Sequence, residues 1–152
     1  MALNLTQYGM TQIAGQVMDV NPNTISAQIV STSAPAAGYL QAGDFVSYHP
    51  TEVAQVIRVQ QIVSGAVCDG VIIFNSKANQ YKPYNDVEIA LAGSIITVQA
   101  GGSFNRGALL NYVPGTVAGQ LGSVFSTTSN NFVAEAIDVA SAAGQIVRVR
   151  VR

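Results

Sequence analysis

The chain has 152 residues, of which 10% are charged, against about 25% in average soluble proteins; the length is that of one ordinary domain. Seven Lys and Arg against eight Asp and Glu leave a net charge of −1, which argues against a reader of nucleic-acid backbones, because such a reader needs a positive face. A single cysteine, Cys68, excludes an intrachain disulfide, and the Ser, Thr, Asn, Gln, Ala and Gly that replace charge suit a subunit held in an assembly.

Residues 1–38 are expected to form an extended N-terminal arm and linker. The opening "MALNLTQYGMTQ" has no basic leader region, so it is not a secretory signal. Thr6, Gly9 and Thr11 interrupt any helix there. Leu3, Leu5, Tyr8 and Met10 are too few apolar groups for a core of their own, and are candidates for ordering on a partner. "NPNT" is a turn, "TISAQIV" is the arm's one strand, and "STSAPAAG" is a run of small residues.

From residue 39 to 152 a β-barrel domain is expected, because the pattern has period two or is a short apolar run between Gly, Asn, Asp and Ser. The first strand is "DFVSYH". "PTEVAQVIRVQQIV" also suits a helix, but its β-branched residues favour a strand with Val53, Gln55, Ile57, Val59 and Gln61 on one face. "AVCDGVIIFN" follows, with Cys68 a small buried hydrophobe. Then "KANQYKPYND" mixes two Lys with Tyr81 and Tyr84, the best local candidate for contact with a ligand or protein. "DVEIAL" points Val87, Ile89 and Leu91 one way and Asp86 and Glu88 the other. It is expected to form a hairpin with "SIITVQA" through Ala92-Gly93. "IALAGSIITV" is about half the ~20 residues of a membrane helix, so no membrane span is expected. "ALLNYV", "GSVFST", "NFVAEAI" and "QIVRVRV" complete the set. In "AGDFV", "CDGVI" and "YNDVEI" an Asp opens the strand, as expected of a turn closed by side-chain-to-backbone bonding.

The ending sets Val147, Val149 and Val151 toward a core and Arg148, Arg150 and Arg152 away from it. Three guanidiniums in a row need water, an acidic strand such as the Asp86/Glu88 face, or an acidic neighbouring subunit. Arg148 and Arg150 are candidates for subunit or partner contact, while Arg152 is expected to fray.

No constellation for catalysis stands out. The lone His49 and lone Cys68 give no zinc spacing. There is no Gly-x-Ser-x-Gly elbow. "GGSFNRG" lacks the Lys-Ser/Thr of a phosphate loop and is expected to be a turn. Asp86 and Glu88 are two carboxylates on one face, but solvent or arginines suit them better than glycoside chemistry. Catalytic, cofactor and metal sites are therefore all expected to be absent.

The ordered succession of segments resembles the head decoration, or structural cement, proteins of tailed bacteriophages. The resemblance rests on "AGQVMDVNPNTISAQIVSTSAPAAGYLQAGDFVSY", in which Gly15, Asp19, Pro22, Ile25, Ser26, Ala42 and Gly43 fit the family pattern. It rests also on "VCDGVIIFN", "YKPYNDVEIALAGSIITVQAGGSFNRGALLNYVPGTVAG" and "FVAEAIDVASAAGQIVRVRV". The polar start "NLTQYGMTQ" departs from the pattern. The resemblance implies an all-β fold, a compact β-barrel or sandwich of β-tulip-like form with an extended N-terminal arm. It implies no enzyme but a virion protein, made in the host bacterial cytoplasm. Such a protein binds the outer surface of the head, as a homotrimer, and clamps neighbouring major capsid protein subunits. A tail or fibre module binding a host-surface glycan or receptor is the alternative, and a small hydrolase lacks its residues.

Overall fold

The computed structural model describes residues 13–30, 39–49, 56–62, 67–75, 80–116 and 120–152. The described elements are all strands: β1 (Thr24–Ile29), β2 (Phe45–Tyr48), β3 (Arg58–Gln61), β4 (Gly70–Ile72), β5 (Asp86–Ala90), β6 (Ile95–Gln99), β7 (Leu109–Val113), β8 (Ser123–Ser126), β9 (Ala134–Ala136) and β10 (Ile146–Val151). The fold is all-β, as the period-two pattern requires. Residues 58–61 of the ambiguous segment are strand, and each of the other expected strands has a counterpart.

The strands divide between two units. β1-β3-β2-β4-β5 close into a barrel, and β6-β10-β9-β7-β8 form a second sheet. The second sheet nearly closes as well. Ala100 bridges Val124 in parallel, and the Gly101 N–H donates to the Val124 carbonyl.

Alternation explains how the units share a core. Ala27 and Ile29 of β1, Val46 of β2, Val59 of β3, Ile72 of β4, and Val87 and Ile89 of β5 pack together with Leu40, Ala42 and Tyr81. All five strands contribute, so this set fills the barrel. The residues of opposite phase, Phe45, Val71 and Ala90, pack instead with Ile96, Leu110, Tyr112 and Val149 of the second sheet. The β2-β4-β5 wall is thus buried on both faces, and the second sheet lies against it.

Three sequence expectations change. β5 and β6 are not a hairpin. The Ser94 N–H does donate to the Leu91 carbonyl, and Gly93 sits at φ 92°, so the turn forms. But β5 is flanked by β1 and β4, and β6 pairs with β10. The turn instead carries the chain from the barrel to the second sheet. Next, within the stretch set apart as arm and linker, residues 13–30 belong to the body. β1 closes the barrel between β3 and β5, and Val17 bridges Ile96 of β6. The chain enters the barrel beside the point where it leaves, for the Leu91 N–H donates to the Asn23 carbonyl and the Asn23 N–H to the Ser94 hydroxyl. Finally, of the three strand-opening aspartates only Asp44 closes a local turn, on the Gln41 N–H. Asp69 accepts from the Tyr48 N–H across the sheet, and Asn85 rather than Asp86 accepts from the Lys82 N–H.

Candidate interaction surface

Polar chemistry in the interior is concentrated where the two units meet. Asp44 is buried; its Oδ1 accepts from the Tyr112 hydroxyl at 2.7 Å and the Gly122 N–H at 3.1 Å, and its Oδ2 from the Gln41 N–H. Burial raises the Asp44 pKa, and the three donated hydrogen bonds only partly oppose this. The Tyr112 phenol is pushed up by its burial and by the carboxylate it faces. The Tyr112 ring lies 4.8 Å from that of Phe45. Cys68 is buried nearby and its thiol is pushed up by the same desolvation, so it is inert as a nucleophile. With every Asp44 oxygen occupied and no water-facing side, this cluster is a joint between barrel and sheet. Among the described residues no group of three or more His, Cys, Asp and Glu is placed to hold a metal ion.

The arginine ladder has a different acidic partner from the one its sequence suggests. Val147, Val149 and Val151 are buried, as expected. Arg148 grips Asp138 in a fork, Nε to Oδ2 at 2.9 Å and Nη2 to Oδ1 at 2.6 Å, and its backbone N–H donates to Oδ2 as well. Arg152 is not frayed. Its Nη2 meets Glu135 Oε2 at 2.6 Å and its guanidinium lies 5.5 Å from the Phe132 ring centre. The acidic residues are those beside β10 in its own sheet, Glu135 on β9 and Asp138 just past it. Burial alone would raise the Asp138 pKa, but the Arg148 fork and backbone N–H outweigh it and the value is lowered. The sign follows: a depressed carboxylate stabilises the fold above its unfolded pKa, about 3.9, and loses that contribution as pH falls through the lower folded value. Arg148→Ala should cost about 2 kcal/mol at neutral pH, the range of hydrogen bonds to charge. The gap to wild type, read by urea unfolding, should close below about pH 4. Arg152→Ala should cost under about 1 kcal/mol, since both partners are part-exposed.

The other candidates separate. Tyr81 is buried; it bridges Leu40 and floors a groove of about 460 Å³ lined by Ser26, Phe74, Asn75, Asp86 and Glu88. Tyr84 is 61% exposed. It stands in the turn Lys82-Pro83-Tyr84-Asn85, closed by the Asn85 N–H on the Lys82 carbonyl, at φ 70°. Proline second and a positive φ third make a type II turn, whose third position favours glycine. A tyrosine there is held at a backbone cost of about 1–2 kcal/mol. The turn is pinned to the barrel, because the Tyr84 N–H donates to the Ile29 carbonyl and Gln28 Nε2 to the Tyr84 carbonyl. Leu3, Leu5, Tyr8 and Met10 lie outside the described residues.

The barrel carries a second exposed apolar group that sequence reasoning did not single out. At the end of the barrel where β2 finishes and β3 begins, Tyr48 is in phase with the interior Val46, and Ile57 with the interior Val59. The apolar column inside the barrel therefore continues outward. Tyr48, Ile57 and Val56 are 41%, 45% and 50% exposed. Their signal in the sequence is alternation that runs past the strand ends, "FVSY" and "VIRV". They give this mouth a tyrosine-bearing apolar rim, a composition suited to protein contact; Tyr84 precedes β5, which begins at the opposite end, where β1 finishes.

The arrangement defines a class of architecture: a closed five-stranded barrel laid on a second, nearly closed five-stranded sheet. The same fold occurs in the head fiber gp8.5 N base of bacteriophage phi29, which aligns with 87% of this chain and 95% of its own length at a TM-score of 0.56 and 14% identity. No family model and no curated protein sequence matches the chain.

Proposed function

We propose that this chain is a non-enzymatic structural protein of a bacteriophage virion, seated on the outer surface of the head. There it binds the major capsid protein and stabilises contacts between capsid subunits, and it associates with copies of itself as a homotrimer. The observation that carries the reading is the likeness in fold, over nearly the full length of both chains, to a phage head fiber base. The order of segments resembling head decoration proteins supports it independently. The same likeness favours a second reading, a fibre module that carries a host-surface-binding part, because the neighbour is itself a fiber component. Purified protein added to heads that lack it separates the two. Uniform decoration of the shell, seen by electron microscopy, supports the first, and sparse attachment as projecting fibres supports the second. No attachment to heads overturns both.

Tyr84 is a contact residue in this proposal, and a strained, exposed tyrosine has a testable signature. Tyr84→Gly relieves the positive φ while removing the ring. Thermal stability should be unchanged or slightly raised, by about 1 kcal/mol at most, while the amount of protein bound to heads falls about tenfold or more, as for loss of an aromatic anchor. Undiminished binding would remove Tyr84 from the contact.

A further inference from the structure

The charges in this charge-poor chain are not all used within it. Arg148 and Arg152 are satisfied by Asp138 and Glu135, and Asp19, Asp44 and Asp69 accept hydrogen bonds. Among the described residues, the side chains of Asp86, Glu88, Lys82, Arg106 and Arg150 make no hydrogen bond or ion pair. Of these, the two carboxylates on a strand lie on the barrel and the guanidinium on a strand lies on the second sheet. Asp86 and Glu88 lie two apart on the outward face of β5, opposite the neutral Gln28 and Ser26 of β1, and line the groove floored by Tyr81. Arg150 projects from the outward face of β10 opposite Glu135, which is engaged by Arg152. On that sheet face the three guanidiniums of Arg148, Arg150 and Arg152 meet the two carboxylates of Glu135 and Asp138, so it carries an excess of positive charge.

From this complementarity we infer that a second copy of the chain docks head to tail: Arg150 on the β10-β9 face of one copy enters the Asp86/Glu88 groove of the next. Two carboxylates side by side on one strand repel each other unless a cation lies between or above them, and a guanidinium can bond both. Within one chain the two surfaces do not meet, so the contact is heterologous and each copy offers one donor face and one acceptor groove; rotation at each contact closes such a chain of copies into a ring. The groove also offers Ser26 and Asn75 as polar neighbours. This inference deepens the proposal of self-association by naming the contact, and it makes no use of the capsid.

The test is sedimentation equilibrium of the full chain without heads, so its failure is distinguishable from failure of the head-binding reading. Arg150→Glu and Glu88→Arg should each weaken self-association about tenfold or more, the effect falling at high salt. Both positions are exposed and outside either core, so folding, checked by circular dichroism, should be retained. Arg150→Glu and Glu88→Arg combined in one chain should restore association to within about threefold of wild type, because the pair is re-formed with its signs exchanged. A monomeric wild type, single variants that associate normally, or a double variant as weak as the singles would each overturn the inference.

Discussion

Gly15→Ala should be among the most damaging single-methyl additions this chain can receive, lowering stability by about 3–5 kcal/mol in urea unfolding. Gly15 sits at φ 83°, and a Cβ there would lie 2.7 Å from the Ala42 Cβ and 2.9 Å from both the Gly43 nitrogen and the Ile72 carbonyl oxygen. Two of these three atoms are backbone and cannot swing away. The left-handed conformation adds about 1–2 kcal/mol, and overpacking typically about 1–3 kcal/mol. Gly43→Ala should behave alike, since Gly43 is at φ 91° and its added Cβ would meet the Ala14 Cβ at 2.6 Å. The two Ala-Gly turns are stacked on one another, and hydrogen bonds from Gly15 to Thr97, from Phe74 to Gly15 and from Gly43 to Ile72 tie them to β6 and to the end of β4. Gly93→Ala is the control. It has φ 92° but open space around the new methyl, so it should cost only the backbone share, about 1–2 kcal/mol. A Gly15→Ala variant no worse than Gly93→Ala would refute the close-approach account.

Asp44→Ala should cost about 3–5 kcal/mol, because it strands the Tyr112 hydroxyl and the Gly122 and Gln41 N–H groups in the joint between barrel and sheet, and opens a hole there. Tyr112→Phe removes one donor and keeps the ring on Phe45, so about 1–2 kcal/mol is expected. The pH dependence runs opposite to that of Asp138. A carboxyl whose folded pKa is raised by burial favours folding when protonated. That contribution is complete below the unfolded value near 3.9 and is lost as pH rises through the folded value. Measured against Asp44→Asn, which cannot ionise, wild type should therefore be relatively most stable in acid and lose ground toward neutrality. A relative stability flat with pH, or one rising toward neutrality, would contradict the burial argument.

Much of this architecture is legible in the residues. Val147, Val149 and Val151 alternate with arginines and are buried; "DVEIAL" splits its faces as written; Cys68 is a buried hydrophobe. Local alternation reports which way a side chain points, because strand geometry is local. Partnership is not local. The Leu91–Ser94 turn looks like a hairpin because its residues are hairpin residues, but whether two strands pair depends on what else flanks them, and β5 is already paired on both edges. The ladder's counter-charges were missed for a related reason: Asp138 and Arg148 meet only because β10 returns beside β9. The strain at Tyr84 was half visible, since Pro83 marks the turn, yet only the positive φ at Tyr84 fixes the turn type that makes tyrosine costly.

The meeting of Asn23 with Leu91 and Ser94 has a consequence for how such proteins diversify. The chain leaves the second sheet and returns to it at one spot, so the entire barrel is spliced in like a cassette whose two ends touch. A graft at that seam would leave the β6–β10 pairing in register, and the host sheet would require of the incoming module closely spaced termini, a wall able to replace Phe45, Val71 and Ala90, and an acceptor in place of Asp44 for the Tyr112 hydroxyl and the Gly122 N–H. Exchange by recombination at this seam could remodel the exposed rim wholesale while the arginine-bearing sheet stays as it is, and the same seam is where an engineered payload domain would be inserted.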